Sequence, residues 1–145
     1  DLCDRTTAED QAAATDGNTV RGDTGEKGMG KMHNQLMGVS CMDNPEIAAT
    51  ASPIKFVNED FPPAYFLQGV QDRIIPYTQS VSMVRMINEK CGEGHAELKL
   101  FPNADHGAAE MKTDEEVGLI LDFIDRHIWE GEHLRTPLPK EIALL

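Results

Sequence analysis

The sequence predicts an α/β fold in which strand, helix, strand and helix alternate, forming the end of a doubly wound, mostly parallel sheet preceded by a loop or cap insertion. Three observations carry this. A short apolar run at 64–67 and an alternating apolar–polar run at 96–100 have strand character and are separated by a segment with helical periodicity. Twenty-six residues lie between Gly69 and Ala96, ample for a right-handed parallel crossover containing one helix. A second amphipathic segment follows, closing the alternation.

Each element has local reasons. Pro62-Pro63 introduces Ala64-Tyr65-Phe66-Leu67, too short for a helix and aromatic enough for a buried strand. Pro76 opens a helix in which Val81, Val84, Ile87 and Cys91 recur at helical spacing, and Gly92 ends it. Ala96-Glu97-Leu98-Lys99-Leu100 alternates apolar and polar, as suits a strand near a sheet edge. The final helix starts at a capping box formed by Thr113 and Glu116, and Val117, Ile120, Leu121, Ile124 and Ile128 make an apolar stripe. Acids at 114–116 and Arg126-His127 at the far end complement its dipole. Two parallel strands alone are a poor domain, because such sheets need more strands and helices on both faces. The chain thus reads as one partial domain: a cap or insertion over 1–51, with short helices at 12–14 and 44–50, a core over 52–130, and a loose tail over 131–145.

At 145 residues with a net charge of −12 and a pI near 4.7, the chain is poorly suited to nucleic acid or to an anionic membrane surface. No stretch approaches the roughly 20 apolar residues a membrane span needs, and no charged-then-apolar leader is visible. The first residue is Asp1, so the chain reads as beginning inside a longer reading frame, or after processing or trimming. Cys3, Cys41 and Cys91 are odd in number and widely spaced, a pattern of free thiols in a reducing compartment, which places the protein in the cytoplasm.

Chemistry concentrates after the two strands. Phe66-Leu67-Gln68-Gly69-Val70-Gln71-Asp72 delivers a carboxylate, and Leu100-Phe101-Pro102-Asn103-Ala104-Asp105-His106-Gly107 delivers an imidazole. An acid and then a histidine on successive strand exits is the back half of an Asp-His relay. Bland readings dispose of the other motifs. Gly38-Val39-Ser40-Cys41-Met42 has Met where a nucleophile elbow needs Gly, so Ser40 reads as a loop serine. Gly25 to Lys31 spells a phosphate-cradling loop but lacks the following hydroxyl and a leading strand, so it reads as a cap loop. Arg21-Gly22-Asp23 is a chance tripeptide, the Met residues are core filler, and His33, His95, His127 and His133 have no metal-ligand spacing. No metal or cofactor is expected.

In order, Ser52-Pro53-Ile54, Pro62-Pro63-Ala64, Gln68-Gly69-Val70-Gln71-Asp72, Ile75-Pro76, Ala104-Asp105-His106-Gly107 and Asp122 to His127 resemble the C-terminal part of α/β-hydrolases of the esterase, lipase and prolyl-oligopeptidase-like group, over roughly 46–130. The resemblance implies that Asp72 is the acid and His106 the base of a Ser-His-Asp triad. It also implies that residues before about 50 are an insertion ahead of the acid-bearing strand. The expected function is cleavage of small-molecule carboxylic esters, or of peptide bonds. The chain departs from the family where His-Gly-Asp or His-Gly-x-x-Asp is common, and it lacks the nucleophile elbow and oxyanion loop. Alone it is therefore expected to have little activity. The alternative is a non-catalytic binding or dimerisation module that pairs with a second copy through an exposed sheet edge.

Overall fold

The computed structural model describes residues 28–41 and 43–128. The chain divides into two compact units, with the boundary between Thr113 and Asp114. In the first unit, helix α1 (Gly28–Met37) and the short helix α2 (Pro45–Ala49) precede a 3-10 turn at Pro53–Phe56. Strand β1 (Ala64–Gly69), helix α3 (Tyr77–Cys91) and strand β2 (Ala96–Phe101) follow, then a second 3-10 turn at Ala109–Lys112. The second unit contains helix α4 (Asp114–Ile128).

β1 and β2 pair in parallel, in register from Ala64 opposite Ala96 to Gly69 opposite Phe101. The crossover predicted between them is α3. It begins after Pro76, whose fixed φ suits a helix entrance, and stops at Gly92, where φ is +108°, a value that disfavours residues with a Cβ. Asn88, in the last turn of α3, holds the next strand in place. Its Nδ2 donates to the Ala96 carbonyl at 2.9 Å, and its Oδ1 accepts the Ala96 N–H at 2.7 Å. Each half replaces a bond to water with one inside the protein, and together they fix where β2 begins. Ile87, Ala96, Ala104 and Met111 are buried in this unit. A smaller cluster of Cys41 and Ala48, flanked by Met37 and Ala51, lies under the α1–α2 turn.

Three expectations need correction. The stretch read as a cap loop at 25–31 is helical from Gly28 onward, because α1 extends through Met32 to Met37 behind it. On α3, Ile87 is fully buried but Val81 is exposed, since the first turn aims Gln79 and Ser80 inward instead. On α4, Val117 and Leu121 are exposed and Phe123 is buried. The Phe123 ring lies 4.3 Å from the His127 ring between centroids, with the Arg126 guanidinium over its face at 5.7 Å. The short helix proposed at 12–14 lies outside the described residues, as does the tail over 131–145. The helix proposed at 44–50 is α2. No helix among the described residues is long and apolar enough to cross a membrane.

Candidate functional site

Two parallel neighbours put their C-terminal ends side by side, so the turns leaving β1 and β2 meet at one end of the sheet. Main-chain bonds stitch those turns together. Val70 donates to the Phe101 carbonyl at 3.0 Å, and Gln71 donates to the Ala104 carbonyl at 3.0 Å. This closeness requires Gly69, because a Cβ there would lie 2.3 Å from the Ala104 carbonyl oxygen and 2.9 Å from that of Asp105. No side chain fits at that distance, so Gly69 is the residue that lets the turns touch.

Asp72 and His106 lie 34 positions apart in sequence and face each other here. His106 Nδ1 donates to Asp72 Oδ2 at 2.9 Å. Asp72 is 4% exposed and the His106 side chain 51%. A buried carboxylate demands donors, and Asp72 has them on both oxygens. Oδ1 accepts the N–H groups of Ile74 and Ile75, at 2.8 and 2.9 Å, which ties the acid to its own turn. Oδ2 accepts from His106 and from Gln68 Nε2, the latter at 2.9 Å. Gln68 is itself held by Ser80, whose hydroxyl donates to Gln68 Oε1 at 2.9 Å. The carboxylate plane is thereby fixed from three directions. Nδ1 of the ring is committed to Asp72, and the half-exposed ring leaves Nε2 to accept a proton.

A second carboxylate bridges the same turns. Asp105 Oδ1 accepts the N–H of Arg73 at 3.1 Å and that of His106 at 2.8 Å. Its Oδ2 accepts from Arg73 Nε at 2.7 Å and from a terminal guanidinium nitrogen. The Arg73 side-chain bond, aided by the N–H groups of His106 and Arg73, holds the Asp105 carboxyl well below the usual carboxylate range, and the same pairing raises Arg73 above its ordinary value. Neither residue stood out in the sequence. The available signal was positional: a cation directly after the acid and a carboxylate directly before the histidine.

Ser40 belongs to different surroundings. Gly38, with φ +73°, closes α1 by donating to the Asn34 carbonyl, and the Ser40 hydroxyl accepts the Asp43 N–H at 3.4 Å. A helix, not a strand, leads into it, so it is a turn serine and not a nucleophile elbow. Among the described residues, no group of three His, Cys, Asp or Glu side chains could hold a metal ion. Beside the acid turn, Phe66, Ile75, Ser80 and Met83 line part of a shallow, mostly apolar groove.

A parallel α/β sheet that carries an acid and a histidine on adjoining strand exits is the architecture of an α/β-hydrolase. Residues 6–87, more than half of the chain, match the BD-FAE family, and the chain belongs to it. That match includes Asp72 and reaches well before residue 46, so the early region shares the family's sequence pattern. An esterase of Mycobacterium tuberculosis, named Esterase LipQ, is 29% identical over 86 residues, which are 57% of this chain and 20% of that protein. The chain thus spans about a fifth of the length of the curated relative it matches. No solved structure matches.

Proposed function

We propose that this chain contributes the acid and the base of a Ser-His-Asp triad that hydrolyses carboxylic esters. The reading rests above all on the buried Asp72 carboxylate, which receives His106 Nδ1 at 2.9 Å at the shared end of two parallel strands. Family membership and the esterase relative support ester bonds over peptide bonds. The alternative, a binding or dimerisation module, has no need of that contact.

In this mechanism His106 Nε2 takes the proton from a serine hydroxyl as the oxygen attacks the ester carbonyl carbon. The tetrahedral intermediate collapses, the ester C–O bond breaks, and the imidazolium returns the proton to the departing alkoxide, releasing an alcohol. Water then repeats the sequence on the acyl-enzyme, freeing the acid and restoring serine. Asp72 keeps the hydrogen on Nδ1, so Nε2 meets the hydroxyl as an acceptor, and the carboxylate stabilises the imidazolium once it forms. The nucleophile comes from outside this chain, which supplies one partial domain read as a cap over 1–51, a core over 52–130 and a tail over 131–145. Free thiols at Cys41 and Cys91 support a reducing, cytoplasmic setting.

The test uses the full-length protein carrying these residues and measures p-nitrophenyl acetate turnover. His106→Ala should abolish saturable hydrolysis while the circular dichroism spectrum stays that of the parent. Undiminished turnover in His106→Ala would refute the assignment.

A further inference from the structure

We infer that Arg73 and Asp105 form a positioning pair that locks the histidine turn onto the acid turn, keeping the His106 imidazole with Nδ1 toward Asp72. The pair joins the immediate neighbours of the two facing residues: Arg73 follows Asp72, and Asp105 precedes His106. Its consequence for turnover rests on the catalytic reading above; its consequence for the imidazole does not.

The geometry is specific to this task. One Asp105 oxygen collects a main-chain N–H from each turn, Arg73 at 3.1 Å and His106 at 2.8 Å. The other receives the guanidinium fork, through Nε at 2.7 Å and a terminal nitrogen. A forked arginine fixes direction as well as distance, which a single ammonium does not. The histidine turn needs such a hold. The ring is half-exposed, Gly107 beyond it has φ +59°, and Asp72 is the acceptor that orients the ring. A displaced turn would leave Asp72 on its own anchor, with its main-chain donors unchanged, and carry the imidazole out of reach.

A plain surface ion pair is the competing explanation, since the two side chains are 57% and 37% exposed. Exposed pairs contribute little to stability. The two accounts therefore diverge in what each experiment reads.

The test compares the full-length parent with Arg73→Ala, Asp105→Ala and Arg73→Lys. Long-range proton–nitrogen NMR reads the imidazole tautomer, with His106→Ala identifying the resonance. The parent should show hydrogen on Nδ1. Both alanine variants should give a mixed or exchange-broadened pattern while the thermal midpoint shifts by only a few degrees, and Arg73→Lys should recover part of the parent pattern. In the esterase assay, kcat should fall roughly tenfold to a hundredfold in the alanine variants with KM nearly unchanged, as small misplacements of a reacting group do. An unaltered tautomer in both alanine variants overturns the inference, whether or not stability falls. Turnover that survives His106→Ala removes the catalytic reading, and the tautomer measurement still decides whether the pair positions the ring.

Discussion

Two turn regions in this protein look alike in sequence and differ in what holds them. The turn between α1 and α2 has a glycine, a serine and polar side chains, and it is held by local bonds. Asn34 Oδ1 accepts the Cys41 N–H across seven positions, and Ser40 accepts the Asp43 N–H across three. The turns after β1 and β2 are held to each other across 32 to 34 positions, by Arg73 with Asp105 and His106 with Asp72. Local bonds satisfy a backbone that must reverse direction. Bonds between distant turns bring Asp72 and His106 together, and the parallel pairing of β1 with β2 supplies that juxtaposition.

The sharpest break of this comparison is chemical. Asp72→Asn keeps an oxygen for the Ile74 and Ile75 N–H groups but turns an amide NH2 toward Gln68 Nε2 and His106 Nδ1. Donor would meet donor, and the imidazole would move its hydrogen to Nε2, the wrong nitrogen for a base. In the full-length protein kcat should fall by about 10⁴-fold, whereas Ser40→Ala should leave turnover at the parent rate. A steady-state esterase assay checks both, and equal losses in the two variants would erase the distinction.

Glycines separate the regions next. Gly69→Ala meets backbone at 2.3 Å, while Gly38→Ala meets nothing within 4 Å and carries only the strain of φ +73°. Urea unfolding should show a loss of about 3 kcal/mol or more for Gly69→Ala, as overpacking against immovable backbone gives. Gly38→Ala should lose about 1 kcal/mol. Reversal of that order would mean that the two strand exits are free to separate.

Much of this was legible in the residues. Pro62-Pro63, Pro76 and Gly92 mark where β1 and α3 begin or end, because each restricts or frees a backbone angle locally. The pairing of a carboxylate with a histidine was legible through their placement in the turns that leave two successive strands. What stayed hidden depends on three-dimensional contact. The start of α1 carries two glycines, which weaken any helical signal, and on α4 Phe123 is buried while Val117 and Leu121 of the aliphatic stripe are exposed. Arg73 and Asp105 are ordinary loop residues until two turns meet.

Smaller effects sharpen the comparison further. Asn34→Ala removes the acceptor of the Cys41 N–H and should cost about 1 kcal/mol in the same unfolding assay, with the turnover rate unmoved. The least effect belongs to Asp105 and acid. Its carboxyl is held below the ordinary range in the folded protein, so its contribution is complete above the unfolded value near pH 4 and is lost as pH falls through the depressed folded value. Thermal melts of Asp105→Asn and the parent should therefore differ slightly at pH 6 and converge in strong acid. A gap that widened on acidification would contradict the sign of that shift.

The division of labour between the two oxygens of Asp72 has a kinetic consequence. One oxygen is moored to its own turn and the other is held by Gln68 as well as by the ring, so the imidazole can swing away without loosening the post on which it hinges. Each departure breaks one side-chain bond and disturbs no main-chain ladder. In the proposed relay the ring could turn over to trade protons with solvent between turnovers, and on its return it would find its acceptor where it left it.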